Sequence, residues 1–214
     1  PENYDYLLKM TKLLTKISHN ELNIDLSSLN SVMHRENARR FRKKAENLPK
    51  YISYNLFGTK TGRLSTKKGS FPIMNINKEY RSIVRPKNDY FLELDFNAAE
   101  VRTLLALAGS KQPRMDIHAW NLAQGMGDNV ESREDAKKAF FSWLYDEKKK
   151  NDKLEEIYKR NDVRNDHFKD GQVTTPFGNT MPADRHHSLS YLIQGTTAEM
   201  VLRQAIKIDE FLKD

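Results

Sequence analysis

Apolar residues recur at helical spacing near the beginning of the chain. Five of them lie three or four positions apart and share one helix face: Tyr6, Met10, Leu13, Leu14 and Ile17. A second helix is predicted from Ser27 to Asn47, and five cations lie along it: Arg39, Arg40, Arg42, Lys43 and Lys44. Such a basic face can contact phosphates or form an ordinary solvated surface, and the sequence leaves both interpretations open.

The middle of the chain changes from loop-like to strand-like patterns. Residues 54–77 are rich in Gly, Thr, Ser and Lys, which predicts loops and short strands. The segment Phe91–Phe96 alternates in polarity and predicts a half-buried strand. Asn97 and Glu100 then form a variant of the capping box, which predicts a helix start. Asp95 is therefore expected at a strand-to-helix junction.

Helical patterns dominate the remainder of the chain. The helix after Asp95 has an apolar stripe that ends before Gly109: Val101, Leu104, Leu105 and Ala108. Residues 146–170 are heavily charged and predict an exposed helix and connector with one stripe: Leu154, Ile157 and Tyr158. A turn is predicted at Pro176–Asn179. A final helix from about Ser188 onward includes these apolar positions: Met200, Ala205, Ile208 and Phe211. The pattern indicates a mostly helical fold around a small sheet.

A helix predicted from Ser132 to Tyr145, with Ser132 as its N-cap, carries the candidate chemistry. Residues spaced four apart form one slanted row, cationic in its first half and aromatic in its second: Arg133, Lys137, Phe141 and Tyr145. A separate apolar stripe can anchor the helix and leave the row accessible: Ala136, Phe140, Trp143 and Leu144. Cations pair with phosphate oxygens and rings face sugars and bases, so this row suits a nucleotide. Ordinary surface helices also carry such residues, so the row alone does not distinguish a nucleotide-binding helix from a surface helix.

Composition favours a polyanionic partner. The 214 residues include 36 Lys and Arg against 29 Asp and Glu, a net charge of +7. Cysteine is absent, which excludes disulfides, cysteine zinc sites and thiol nucleophiles. The longest uncharged apolar-rich stretch, Thr103–Ser110, is far shorter than the about 20 residues of a membrane span. Because no signal peptide is visible, we expect an intracellular, cytoplasmic protein. A start at Pro1 without Met predicts a piece of a longer chain.

Five motifs occur in the order typical of family A DNA polymerases, the group of bacterial DNA polymerase I and related phage and organellar enzymes. They are TGRLS at Thr61–Ser65, DFNAAEVR at Asp95–Arg102, DIH at Asp116–His118, the row on Arg133–Tyr145, and QGTTA at Gln194–Ala198. Each motif alone is weak, but the ordered set is specific and covers roughly residues 51–214. The chain therefore resembles this family. The resemblance implies an α+β, mostly helical fold: a polymerase palm with a small antiparallel sheet plus helical fingers, incomplete at both ends.

The resemblance implies template-directed DNA synthesis, in which deoxynucleotides are transferred to a primer 3′-hydroxyl on primer–template DNA. Asp95 matches the family's first catalytic carboxylate, which binds two Mg²⁺ ions with help from the backbone carbonyl of Phe96. Hard oxygen ligands suit that ion. Lys137 matches a catalytic residue that donates a proton to the pyrophosphate leaving group or neutralises its charge.

Further positions match residues that hold the incoming nucleotide. His118, Arg133 and Lys137 match those that bind the triphosphate. Phe141 matches the position facing the sugar, and Tyr145 matches the ring that stacks at the templating site.

Four other residues match positions that select the sugar or contact DNA. Glu100 matches the sugar gate, which favours deoxynucleotides, and its side chain is also expected in the capping box. Arg63 matches the residue that contacts the primer–template minor groove, where hydrogen-bond acceptors are common to all base pairs. Arg102 and Gln194 match further DNA-contacting positions, although Arg102 is equally suited to a structural role.

The family pattern divides the chain into four parts. They are a helical part at the thumb–palm junction (1–50), a palm part with the first carboxylate motif (51–110), the fingers (111–185) and a palm helix truncated before the second catalytic motif (186–214).

Departures from the family pattern keep alternatives open. The His-Asp-Glu hairpin, which carries the family's second metal-binding Asp, is absent from the 20 residues after Gln194. We therefore expect this chain alone to bind nucleotide or DNA weakly and to polymerise little or not at all. The alternatives are a non-catalytic nucleic-acid-binding derivative and a single-subunit RNA polymerase. Glu100 and Thr61–Arg63 argue against the RNA polymerase. The divergence of the sequence from the family pattern suggests a phage or environmental source. A phage protein of this kind would act inside an infected host cell.

Overall fold

The computed structural model of the protein describes residues 2–125 and 130–212. The fold is α+β and mostly helical with small antiparallel sheets, which confirms the predicted fold class. The chain forms two compact units. Unit 1 comprises the residues up to Leu94 and those from Val201 onward, and unit 2 comprises Asp95–Met200. The four-part division into thumb junction, palm, fingers and palm helix stays a prediction.

Unit 1 contains helices α1 (Glu2–Ser18) and α2 (Glu36–Ala45). Its other elements are short and lie in this order: β1 (Asn23–Ile24), 3₁₀ segment Leu26–Val32, β2 (Tyr54–Asn55), β3 (Ser65–Thr66), 3₁₀ segments Ile73–Asn75 and Lys78–Ile83, and β4 (Val84–Arg85). β1 pairs antiparallel with β4, and β2 with β3. The prediction of loops and short strands over residues 54–77 is confirmed.

Helix α1 confirms the first predicted helix. Its Met10 side chain is only 1% exposed and packs with Leu202 and Ile206. The Arg203 guanidinium lies 4.4 Å from the centre of the Tyr6 ring, a cation–π contact on the same cluster. The apolar face predicted for this helix is therefore packed in a hydrophobic core.

The single helix predicted from Ser27 to Asn47 is wrong. The chain instead forms the 3₁₀ segment Leu26–Val32 and then α2. The Asp25 carboxylate accepts hydrogen bonds from the backbone N and the Oγ of Ser27, at 2.9 and 2.6 Å. These local bonds fix a tight first turn. Arg35 is extended (φ −86°, ψ 133°) just before α2, so the two segments cannot form one helix.

The described residues of unit 2 form helices α3 to α7 and the first part of α8: α3 (Ala99–Leu107), α4 (Ile117–Ala123), α5 (Arg133–Tyr145), α6 (Asp152–Tyr158), α7 (Arg160–His167) and α8 (Arg185–Phe211). Its antiparallel sheet has the order β5-β6-β7: β5 (Phe168–Lys169), β6 (Gln172–Thr174) and β7 (Thr180–Pro182). These elements enclose an apolar core, whose buried members include the following residues: Leu104, Leu105, Phe140, Leu144, Leu154, Tyr158, Leu192 and Ile193.

The turn predicted at Pro176–Asn179 is confirmed, since it connects β6 to β7. The backbone N of Gly178 donates to the carbonyl of Thr175 at 2.9 Å. Gly178 has φ +84°, a conformation that glycine adopts without steric cost. Across this hairpin Val173 lies opposite Met181, and both side chains are buried.

The half-buried strand predicted over Phe91–Phe96 is wrong. The segment has no regular secondary structure. Leu92, Leu94 and Phe96, expected on one buried face, are 77%, 63% and 43% exposed. Alternating polarity forms a strand only where a neighbouring strand supplies hydrogen bonds and a covering layer. Within residues 2–125 and 130–212 no strand pairs with this segment.

Helix α3 begins differently from the prediction and ends as predicted. Its N-cap is Ala98, which has φ +49° and makes no side-chain capping hydrogen bond, so the capping box that starts at Asn97 is wrong. The predicted apolar stripe is buried, including Ala108. At the end, Gly109 (φ +68°) donates to Ala106 and the N of Ser110 donates to the Leu105 carbonyl, both at 3.0 Å. This pattern is a Schellman motif.

Two other helical predictions are partly corrected. The segment 146–170 contains two helices, α6 and α7, and its predicted exposure is wrong at Arg160 and Arg164, which are 4% and 3% exposed. Helix α8 begins at Arg185, and two of its predicted apolar positions, Ile208 and Phe211, are 37% and 78% exposed. Burial there instead includes Leu189, Leu192, Ile193, Leu202 and Ile206.

Among the helices of the described residues, none combines the length and apolarity that crossing a bilayer requires.

Candidate functional site

Helix α5 forms over the residues that its sequence predicts. The Oγ of Ser132 accepts a hydrogen bond from the backbone N of Asp135 at 3.1 Å and so caps the helix. Glu134 and Asp135 lie in the first turn, where their negative charges interact favourably with the positive end of the helix dipole. The helix therefore begins at Arg133, the first residue of the cationic-aromatic row.

The anchoring stripe on α5 is buried as predicted. Ala136, Phe140, Trp143 and Leu144 are all at most 2% exposed. The Phe140 ring lies 4.8 Å from the ring of Tyr158, in an edge-to-face arrangement. Because this face is fixed in the core, the rotation of α5 is fixed, and the row occupies its accessible side.

The aromatic half of the row forms a ring stack. Phe141 and Tyr145 have ring centres 6.1 Å apart and planes within 13° of each other. Phe141 is half-buried against the core, whereas Tyr145 is 39% exposed. The His118 ring also contacts Phe141, with ring centres 6.0 Å apart. The row thus ends in the exposed ring of Tyr145, which stacks on the half-buried ring of Phe141.

The cationic half of the row is held by a carboxylate. Arg133 donates from Nε and Nη2 to the two Asp116 oxygens, at 3.0 and 2.9 Å, and from Nη1 to Glu134 at 2.6 Å. The guanidinium of Arg133, together with backbone N–H donors, holds the pKa of the Asp116 carboxyl well below its usual range. Lys137 is exposed, and within the described residues it makes no ion pair.

Asp116 is a site residue whose role the sequence analysis did not assign. Its Oδ1 also accepts hydrogen bonds from the backbone N of His118 and Ala119, at 3.0 and 2.9 Å, so it caps α4. One carboxylate thereby holds both the start of α4 and the guanidinium of Arg133. The signal was present, since Asp directly before a helical segment favours an N-cap.

His118 is buried inside the site. It is 3% exposed, and its Nδ1 is buried without a hydrogen-bond partner within the described part of the chain. Burial lowers the pKa of His118, and the charges of Arg133 and Lys137 lower it further. The charges of Asp116 and Glu134 oppose this shift, and the net effect favours the neutral imidazole.

The remaining carboxylates predicted for the site lie on or just before α3. Asp95 and Phe96 are exposed in the irregular segment, and Glu100 is half-buried in the first turn of α3. Within residues 2–125 and 130–212 no group of three or more His, Asp or Glu side chains is arranged to hold a metal ion. Because no such group forms at Asp95, the described residues do not fit a two-metal site by themselves.

Arg102 is engaged by its own chain. Its guanidinium donates to the backbone carbonyls of Asn97, Pro113 and Met115, at 3.0, 2.8 and 2.8 Å. It therefore ties the start of α3 to the segment before α4. This arrangement supplies the structural role that the sequence analysis considered, and its DNA contact stays a prediction.

Gln194 and Arg63 lie in different units. Gln194 is half-buried on α8, next to Gly195, where an added Cβ would come within 2.8 Å of the Met181 Cε. A side chain at this position would therefore displace the flexible end of the Met181 side chain. Arg63 belongs to unit 1 and is exposed, on a loop where Thr59 Oγ1 donates to the Arg63 carbonyl at 2.9 Å.

A buried arginine fixes the last turn of α5, and no sequence signal marked it within a heavily charged segment. Arg160 donates to the carbonyl of Trp143 and, at 3.3 Å, to that of Asp146. Its guanidinium lies 4.6 Å from the centre of the Trp143 ring. It thus pairs helix-end carbonyls that the helix itself leaves unsatisfied. The position of Tyr145 depends on this contact.

Comparison with known proteins identifies the fold. No family model matches the chain, and no curated protein sequence matches it. Among solved structures, the POL domain of Pol1 from M. smegmatis, in complex with DNA primer-template and dNTP, is similar, with a TM-score of 0.58 and 18% sequence identity. The match covers 89% of this chain and 46% of that chain, so this chain spans less than half of that polymerase chain. The chain therefore has a fold similar to part of a DNA polymerase domain.

Proposed function

We propose that the chain forms the fingers and part of the palm of a family A DNA polymerase and serves template-directed DNA synthesis. The observation that carries this proposal is the row on α5, whose two cations and Tyr145 ring are exposed while the separate apolar stripe of the same helix is buried. The fold similarity to a polymerase domain in complex with primer-template and dNTP supports it at a coarse level. On this proposal the partners are primer–template DNA and deoxynucleoside triphosphates.

The cationic half of the row is proposed to bind the triphosphate. Arg133 already presents a planar donor pair to the Asp116 carboxylate, a geometry that equally fits phosphate oxygens. Lys137, exposed one turn further on, would neutralise charge on the pyrophosphate leaving group or donate a proton to it. His118, buried and in contact with Phe141, would complete this end of the site.

The aromatic half is proposed to bind the sugar and base. Phe141 would face the sugar, and the exposed ring of Tyr145 would stack at the templating position. Glu100 is proposed to select deoxynucleotides, and Arg63, Arg102 and Gln194 to contact DNA.

Asp95, with the Phe96 carbonyl, is the proposed catalytic ligand for magnesium in a complete enzyme. In the described residues no group of three or more His, Asp or Glu side chains is arranged to hold a metal ion, so Asp95 does not complete a two-metal site by itself. The proposal is therefore that this chain by itself extends a primer little or not at all.

The test is binding of a deoxynucleoside triphosphate, measured by isothermal titration calorimetry on the wild-type chain and three variants. Arg133→Ala and Lys137→Ala each remove a charge-assisted contact and are expected to weaken binding about 10- to 100-fold. Lys138→Ala is the matched control, because Lys138 is next to Lys137 but pairs with Asp135 at 3.9 Å. Equal affinities for all four proteins would refute the proposed site.

A second candidate is a non-catalytic nucleic-acid-binding derivative of the fold, favoured because no group of three or more His, Asp or Glu side chains in the described residues is arranged to hold a metal ion. Primer extension separates the two candidates when the chain is assayed together with any downstream segment encoded in its reading frame. Extension that disappears with Asp95→Asn supports the polymerase, and DNA binding without extension supports the derivative.

A further inference from the structure

Positive charge is concentrated on one short segment of unit 1. Residues 35–50 contain seven Lys and Arg against two Glu, a net charge of +5, whereas the whole chain has +7. Helix α2 supplies most of these cations. Most of the excess positive charge therefore lies on about one helix, well outside the α5 row in sequence and in a different unit.

The two faces of α2 differ sharply. Ala38 and Ala45 are buried, and the ring of Phe41 stacks on Tyr80 with ring centres 4.8 Å apart. These contacts fix the inner face against the unit 1 core. Helical spacing places the exposed charged side chains of the helix away from this inner face: Glu36, Arg39, Arg40, Lys43 and Lys44. This set is called the α2 outer face.

Ion pairs neutralise only part of the α2 outer face. Arg40 pairs with Glu36. Arg39 instead donates to the backbone carbonyls of Met33 and His34, both at 3.0 Å, and keeps its charge uncompensated. Among the described residues, neither Lys43 nor Lys44 has an acidic partner. Arg39, Lys43 and Lys44 are therefore exposed, and no acidic side chain of the described residues pairs with them.

We propose that the α2 outer face is a second nucleic-acid contact, which binds the sugar-phosphate backbone of duplex DNA. The face carries no aromatic or large apolar side chain, so it has no means to stack on bases or to insert into a bilayer. Lysines and arginines on a helix pair with phosphates irrespective of sequence. The proposal rests on the proposed polymerase function for the choice of DNA as the polyanion. Its role is to hold the duplex, separately from the triphosphate site.

The experiment measures how the affinity for a labelled primer–template duplex depends on salt, by fluorescence anisotropy between about 50 and about 200 mM KCl. Lys43→Gln/Lys44→Gln is expected to weaken binding about 10-fold at the low-salt end and to make the slope of log K against log salt shallower by about 1 to 2. The matched control is Lys148→Gln/Lys150→Gln, which removes the same charge from exposed positions in unit 2. The control is expected to change the slope by less than about 0.5.

Several outcomes distinguish this inference from the proposed function. Equal slopes for the α2 variant and the control would overturn the inference and leave the triphosphate site untouched. An unchanged deoxynucleoside triphosphate affinity in the α2 variant supports a separate contact, and a parallel loss overturns it. Absence of duplex binding by the wild-type chain overturns the inference, whereas the triphosphate titration tests the proposed function separately. A last measurement tests binding of the wild-type chain and the α2 variant to phosphatidylserine vesicles. If the α2 variant loses vesicle binding while its slope of log K against log salt for the duplex is unchanged, the choice of DNA is overturned.

The variant is expected to keep its fold, because both lysines are exposed and glutamine has a helix propensity close to that of lysine. Arg39→Gln is a second, independent variant on the same face. It is expected to reduce the slope by about 1, and an unchanged slope would contradict the proposal.

Discussion

Helices α2 and α5 are both basic, yet they are built for different contacts. On α5 the cations are followed by two rings, and Arg133 is held in a defined orientation by the Asp116 carboxylate. On α2 the exposed cations have no ring beside them, and Lys43 and Lys44 have no carboxylate partner in the described chain.

The difference shows that the number of cations does not define a site. Orientation by a second element and the presence of planar rings make α5 suited to a discrete ligand with phosphate, sugar and base. Unoriented charge on α2 is suited to a long polyanion, whose phosphates repeat along the surface. The same residue types therefore support two kinds of binding.

The largest expected effect comes from removing the anchor of each helix. Phe140 is fully buried in the unit 2 core, so Phe140→Ala should cost about 3 to 5 kcal/mol of unfolding free energy. Phe41 is only half-buried beside Tyr80, so Phe41→Ala should cost about 2 kcal/mol. Urea unfolding followed by circular dichroism measures both.

Tryptophan fluorescence assigns each loss to its unit, because both tryptophans, Trp120 and Trp143, lie in unit 2. Phe140→Ala should shift the fluorescence midpoint, and Phe41→Ala should shift the circular dichroism transition while changing fluorescence less. A larger loss for Phe41→Ala would mean that α2, not α5, is the better anchored helix.

A smaller effect is expected from the carboxylate that orients α5. Asp116→Ala removes the α4 N-cap and should cost about 1 to 2 kcal/mol, whereas Asp116→Asn keeps a capping oxygen and should cost less. Trp120 lies on α4, so its fluorescence during urea unfolding reports this loss directly. Equal costs for the two variants would show that the cap contributes little.

The same residue gives a pH dependence with a defined sign. Its folded-state pKa is lowered, first by the Arg133 hydrogen bonds, so the charged form stabilises the fold above the ordinary carboxyl pKa of about 3.9. That stability is lost as pH falls below this value toward the lowered pKa. Between about pH 5 and about pH 3, Asp116→Asn should therefore lose less stability than the wild type. Identical acid dependence of the urea midpoint would contradict this assignment.

The smallest expected effect is on α2. Glu36→Gln removes the carboxylate that pairs with Arg40, and both side chains are largely exposed, so stability should change by less than about 0.5 kcal/mol. Duplex binding should instead strengthen about 2- to 5-fold at low salt, because one more cation becomes available. A weaker or unchanged duplex affinity would contradict the assignment of α2 to a long polyanion and of α5 to a discrete ligand.

Elements that carry their own local signals could be predicted from the sequence. Helix α5 has a capping Ser132, first-turn carboxylates and a four-residue apolar stripe, and all of these point to the same helix. The Pro176–Asn179 turn likewise has a glycine where φ is positive. The row and its anchoring face followed from helical geometry alone.

Predictions failed where the outcome depended on a partner distant in sequence. The alternation of Phe91–Phe96 is compatible with a strand, but no described strand pairs with it, so its apolar side chains stay exposed. The capping box failed because Ala98 adopts φ +49° at the start of α3, while Arg102 fixes Asn97 through its carbonyl.

The sequence by itself determined where most helices lie, which face of α5 is apolar, and that its cations precede its rings. Only the tertiary structure decided that the Asp116 carboxylate pairs with Arg133, 17 residues away, and that Arg160, in a heavily charged segment, is buried against Trp143. Periodicity and capping act within a few residues and can be read along the chain. Contacts of charged side chains with distant segments depend on the packing that brings those segments together, and no local pattern encodes them.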